Sequence, residues 1–237
     1  MLTKSHPSVR AILSKPEFKD AVVLARGGTS LILDHGDDTV TKLTIDEMGY
    51  SWLTAGSYGL NKMNDDSPYK FPILEDYDEL GDYSYSKRMN DGRIKQFEHI
   101  IYGVRMPKLA KLKLGQLSAD QKERYKFLKE AFNQAVCIDY TPDAANHFHK
   151  CAEVWIKRYP EDKHFEDVLL AAYYMCADYH ARPDMLTGGN VLVYNDHLAL
   201  LDPVFDPQVW ANKQGRYTHH FDNPQGNKHA PKKLIQA

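Results

Sequence analysis

Two hydrophobic periods, one after the other, constrain what this chain can fold into. Up to about residue 107, apolar residues alternate with polar ones in short runs broken by Gly and Pro. After Leu114 they recur at every third and fourth position. A period of two suits strands and a period of 3.6 suits helices, so the expectation is a mostly β half followed by a mostly α half. The boundary falls near residues 107–117. A cleft between two such halves is a natural ligand site.

In the first half, "DAVVLARGGTSLILDHGDDTVTKLT" reads as three strands, 20–26, 30–35 and 39–44, after a short helix over 7–14. The first turn is "RGGTS", and the second is a Gly-Asp-Asp turn, a hairpin signal. "IDEMGYSWLTAG" predicts a short helix with Gly56 as its C-cap. "YKFPILEDYDEL" is the fourth strand and "EHIIYGVRMPKL" the fifth, with a polar Tyr- and Asp-rich connection over 81–96. In the second half, Ser118 and Gln121 stand at capping-box spacing before a helix. Thr141-Pro142 opens another, to about Arg158. A third helix covers roughly 163–180, with Phe165, Val168, Leu169, Ala172, Tyr173 and Cys176 on one face. Two short strands follow, 191–194 and 198–201, and the last 25 residues are polar.

Composition narrows the class. The chain has 237 residues, 43% hydrophobic and 11% aromatic, which is enough for a packed core and argues against disorder. The net charge of −2 gives no basic field for nucleic acid or anionic membrane. No apolar run approaches the roughly 20 residues of a membrane span, and the N-terminus has no signal-peptide core. Cys137, Cys151 and Cys176 are odd in number and form no CxxC pair, so a reducing, cytoplasmic setting is expected.

The chemistry-bearing residues cluster in four places. Gly27, Gly28 and Ser30 sit where two strands turn, so backbone N–H groups there can approach a phosphate. Lys42 lies in a half-buried strand, where an ammonium requires a partner or a route to water. In "RPDMLTGGNVLV", Asp184 precedes Asn190 by six positions, and in "LALLDPVFD", Asp202 ends another apolar run. A hard cation such as Mg²⁺ takes carboxylate and amide oxygens, and Asn190 and Asp202 flank one hairpin. His147, His149 and Cys151 could be drawn as a metal site, but core and surface roles account for them on a helix. The acidic "EDYDELGDY" reads as solvated strand and loop, and the basic tail as solvated.

This order of elements and residues resembles the protein-kinase-like superfamily, over about residues 20–206. It is most similar to the early host-shut-off Ser/Thr protein kinases of short-tailed phages, whose loop similarly reads Asp-Met-x-Ser-Gly-Asn, followed by a hairpin and Asp-Pro-Val. Here the segments are "DMLTGGNVLV" and "DPVF". The resemblance implies a small bilobal α+β fold: a five-stranded antiparallel N-lobe sheet (1–106), a hinge (107–117), a minimal helical C-lobe (118–211) and a polar tail (212–237). It implies ATP and Mg²⁺ as cofactors and a protein substrate, or an inhibited host protein, as partner. Lys42 would contact the nucleotide's phosphates under the Gly27–Gly28–Ser30 hairpin. Met106 and Leu109 would lie along the adenine, Asp184 would orient the acceptor hydroxyl, and Asn190 and Asp202 would bind magnesium.

The departures from the family's pattern bear on the site. Family loops place the asparagine five residues after the aspartate. Here the spacing is six, so either the Gly188-Gly189 loop bulges and keeps Asp184 in place, or Met185 takes its position. The helix acid that clamps the lysine is expected at Glu47, with Asp46 as the alternative. Only 35 residues follow Asp202, too few for a long activation segment and helical substrate platform. Three functions remain open: an ATP-dependent Ser/Thr protein kinase, a non-catalytic relative that binds and inhibits a host protein, and a small-molecule kinase of the aminoglycoside type.

Overall fold

The computed structural model describes residues 2–55, 58–89, 91–138, 141–187 and 189–209. It is α+β, with one five-stranded antiparallel sheet, as the two hydrophobic periods imply. Helix α1 (Pro7–Leu13) leads into β1 (Val22–Arg26), β2 (Ser30–Asp34) and β3 (Thr39–Thr44). Helix α2 (Glu47–Thr54) separates these from the long hairpin of β4 (Glu75–Arg88) and β5 (Ile94–Pro107). The strands lie in the order β1-β2-β3-β5-β4, so β5 inserts beside β3.

Alternation along β3 divides the sheet's two faces. Leu43 joins Leu31, Leu33 and Ile101 against Val9 and Ile12 of α1 and against Phe18. Val40, on the opposite face, joins Val104 and Met106 in a larger core. That core runs without a break through Trp52 and Leu53 of α2 into three helices: α3 (Ala119–Val136), α4 (Thr141–Arg158) and α5 (Lys163–Asp178). Ser118 and Gln121 form the expected reciprocal capping box at the start of α3. Phe165 of α5, fully buried, has its ring 4.2 Å from that of Trp155 and 5.7 Å from that of Tyr69.

Five short strands follow among the described residues. β6 (Ala110–Lys111) pairs with β8 (Val191–Tyr194), which pairs with β9 (His197–Leu200), while β7 (Arg182–Pro183) pairs with β10 (Val204–Phe205). Among the described residues no helix is long and apolar enough to cross a membrane.

Two expectations are corrected here. Residues 81–96 are not a polar connection, because β4 and β5 pair residue for residue from Gly81↔Ile101 to Arg88↔Ile94. The alternation was present: Tyr83 and Phe97 are buried on one face, while Asp82, Ser84 and Glu98 are exposed on the other. The fourth strand also begins at Glu75 and not at Tyr69, since Pro72 has no N–H to give a ladder. Gly56, the expected cap of α2, and the tail 212–237 lie outside the described residues; Ala55 caps the helix.

The aromatic packing around Phe165 yields a stability prediction. Phe165→Ala should lower the free energy of unfolding by about 3–5 kcal/mol, because it removes a buried ring at the junction of α4, α5 and the segment before β4. Urea unfolding measures it, and a loss under about 1 kcal/mol would mean this core is loosely packed.

Candidate functional site

Lys42 is placed by alternation. It shares its face of the sheet with Ile32, its partner across β2, and with Val104, its partner across β5. The side chain is 2% exposed, and its ammonium meets Asp202 Oδ1 at 3.0 Å. Neither atom has a well-directed hydrogen bond to any other group among the described residues. A buried ammonium with a single ionic contact leaves donors for a further anion.

Asp202 reaches Lys42 across a glycine. A Cβ on Gly49 would lie 2.7 Å from Asp202 Oδ1, 3.6 Å from Lys42 Nζ and 3.5 Å from Asp46 Cγ. Any side chain on this turn of α2 would push into the ion pair. Asp46 is the N-cap of α2: its Oδ1 accepts the Gly49 N–H at 3.0 Å and the Asp206 N–H at 2.9 Å. It is buried, and burial together with the neighbouring Asp202 carboxylate pushes its pKa up to about 7.

The third acid arrives through the pairing of β7 with β10. Val204 opposes Pro183, and the Asp184 N–H donates to Pro203 O at 2.8 Å, so the residues after β9 lie alongside Asp184. The loop then folds back. Asp184 Oδ2 accepts from Asn190 Nδ2 at 3.1 Å, and the same amide donates to Met185 O at 3.2 Å. The Asn190 N–H returns to Thr187 O at 3.0 Å, and Gly188, between them, lies outside the described residues.

These groups line one cavity of about 470 Å³: Lys42, Asp46, Asp184, Asn190 and Asp202, roofed by the hairpin of Gly27, Gly28 and Ser30. The hairpin turn is closed by the Gly27 N–H donating to Ser30 O at 2.8 Å, and a Cβ on Gly27 would meet Ser30 Oγ at 2.7 Å. Ile32, Val136 and Leu201 supply an apolar wall that the sequence reading did not single out. Met185 also lines the cavity, but its side chain is 52% exposed.

Three expected residues fall elsewhere. Glu47 is exposed and lines a different groove, because consecutive residues at a helix start point in different directions; the acid beside Lys42 is Asp46. Met106 is buried in the main core, and Leu109 packs against that core without lining the cavity. The backbone there is also occupied: Pro107 pairs with Thr39, and the Lys108 N–H donates to Asp38 O at 2.8 Å. His147 and Cys151, for their part, belong to the helical core, with His147 Nε2 at 3.0 Å from Ala131 O.

The donor set suits a hard cation. No group of three or more His, Cys, Asp or Glu able to hold a metal occurs among the described residues. Asp202 and the Asn190 amide give one carboxylate and one neutral oxygen, the small protein share typical of magnesium that phosphates and water complete. The lining holds three acids, Asp46, Asp184 and Asp202, against two cations, Lys42 and Arg26.

Asp46 supplies a pH test. Its pKa is raised on folding, so the folded chain binds this proton more tightly than the unfolded chain does. Stability therefore falls as pH rises from about 4, the ordinary carboxyl range, to about 7. Asp46→Asn keeps an acceptor for both N–H groups and removes the charge. It should flatten this part of the stability–pH profile in denaturant titrations and exceed the wild type in stability above neutrality. Superimposable profiles would place the Asp46 carboxyl in a less buried setting.

No family model, no curated protein and no solved structure matches the chain.

Proposed function

We propose that this chain is an ATP-dependent phosphotransferase of small, two-lobed, protein-kinase-like build, acting on Ser or Thr hydroxyls of a protein. The observation that carries the reading is the convergence of Lys42, Asp184, Asn190 and Asp202 in one cavity under a Gly-Gly hairpin, from positions up to 160 residues apart in the chain. The strand order, with a helix between the third and fourth strands, agrees with it.

Phosphoryl transfer asks a protein mainly to position groups and to offset charge. Backbone N–H groups of the hairpin approach the phosphates, as Gly27 and Gly28 permit. Lys42, already without a well-directed hydrogen bond, donates to a phosphate oxygen. Asn190 and Asp202 would hold a magnesium ion, which when bound supplies charge neutralisation at the phosphates. Asp184 accepts a hydrogen bond from the acceptor hydroxyl, and the Asn190 amide holds its carboxylate in place. The apolar wall of Ile32, Val136 and Leu201 offers a surface to a nucleobase.

One observation favours a second reading, a non-catalytic relative that binds and inhibits a host protein. The Lys108 N–H, which an adenine would use along a hinge, is committed to Asp38.

Transfer from γ-labelled ATP, to the protein itself or to a cell lysate, separates the two. Asp184→Ala should slow transfer at least about a hundredfold, while the thermal shift induced by Mg-ATP stays intact. Lys42→Ala should shrink that shift, and Asp202→Ala should abolish transfer and reduce the magnesium dependence of nucleotide binding. A wild type that binds Mg-ATP and transfers nothing would favour the second reading. No thermal shift at saturating nucleotide would remove the phosphotransferase reading.

A further inference from the structure

A second groove, on the far side of α2 from the cavity, follows from unequal strand lengths. β5 pairs with β4 from Ile94 to Arg105, with one irregularity between Tyr77 and Gly81, but with β3 only from Tyr102 to Pro107. β3 stops at Thr44, because the chain turns there into Asp46 and the start of α2. Over 96–101, β5 therefore has a partner strand on one side only among the described residues. In an antiparallel pair, alternate residues turn their N–H and C=O away from the partner, so this stretch presents an open edge.

A groove of about 400 Å³ lies beside that edge. Ile100 and Tyr102 give it apolar surface, and Glu47, Asp82, Glu98 and Asp206 give it four carboxylates. Among the described residues, none of the four lies within ion-pair distance of a lysine, arginine or histidine. His99 also lines the groove, its Nε2 buried and without a hydrogen-bond partner among the described residues, and burial depresses its pKa. Among the described residues no lysine or arginine side chain pairs with these four carboxylates, so the groove carries a negative field.

We propose that the open edge of β5 over 96–101 receives an extended, lysine- or arginine-bearing segment of a partner protein as an added strand. The backbone edge provides ladder hydrogen bonds, Ile100 and Tyr102 take apolar side chains of the incoming strand, and the four carboxylates select basic ones. A lone acidic patch would attract any cation. The strand edge is what demands an extended peptide. This inference does not rest on the phosphotransferase reading. The groove nevertheless adjoins the cavity, since Asp206 lines the groove while its N–H holds Asp46.

Fluorescence anisotropy with the full chain tests it. The probe is a labelled peptide of roughly eight residues, alternating lysine and valine. It should bind, and its glutamate–valine counterpart should not. N-methylation of alternate residues along one peptide edge should weaken binding by about tenfold or more, because it removes the donors that pair with β5. Asp82→Asn with Glu98→Gln should weaken it similarly, with a melting temperature near that of the wild type, since both side chains are exposed. Binding insensitive to N-methylation would overturn strand addition, and binding insensitive to the double substitution would overturn the groove. If replacing Lys228, Lys232 and Lys233 by serine strengthens binding about tenfold, the chain's own basic segment competes for the groove and a partner protein is not its occupant. Absence of any binding would also overturn the proposal.

Discussion

The buried ammonium of Lys42 is the constraint around which the rest of the structure is arranged. Moving such a charge out of water costs several kcal/mol unless an anion compensates it closely. Asp202 does so at 3.0 Å, and the contact is possible because residue 49 of α2 has no side chain. Asp46 adds a second carboxylate nearby, held by two backbone N–H groups, one from α2 and one from Asp206. The charge therefore ties together β3, the first turn of α2, the segment after β9 and the segment after β10.

That tie needs a rigid frame, and the large core supplies it. Trp52, on the buried side of α2, donates its indole N–H to Leu200 O at 2.9 Å, which fixes the helix to β9 two residues before Asp202. The same core continues through α3, α4 and α5, so the sheet half and the helical half share one packed interior. The small pairings of β7 with β10 and β6 with β8 then place Asp184 and Asn190 at one edge of the cavity. A two-residue strand contributes little stability by itself. Here it sets the position of the Asp184 carboxylate, and the helices carry the stability.

Helix α2 has two working sides. Asp46 faces the cavity and Glu47 the groove, one residue apart. The length of β5 relative to β3 creates that groove, and the turn from β3 into α2 that ends β3 also creates the Asp46 cap.

Much of this was legible in the sequence, because it depends on local periodicity and turn chemistry. The three first strands, the Gly-Gly turn, the capping box at Ser118, the Thr141-Pro142 helix start and the final hairpin are all read from residues close together in the chain. The convergence of Lys42, Asp184, Asn190 and Asp202 was anticipated from a likeness of order and spacing, and the folded chain brings these four to one cavity. What only the tertiary structure decided is which neighbour faces where. Glu47 and Asp46 are equivalent in sequence; a helix cap turned one inward and left the other exposed. Met106 and Leu109 looked like a ligand-facing edge, but β5 continues its pairing with β3 through Pro107 and buries Met106. Gly49 carried no signal at all, since its role is to leave room for a carboxylate that arrives from more than 150 residues away. Local pattern determines which elements form. The direction of a single side chain depends on contacts between elements, and those exist only once the chain is folded.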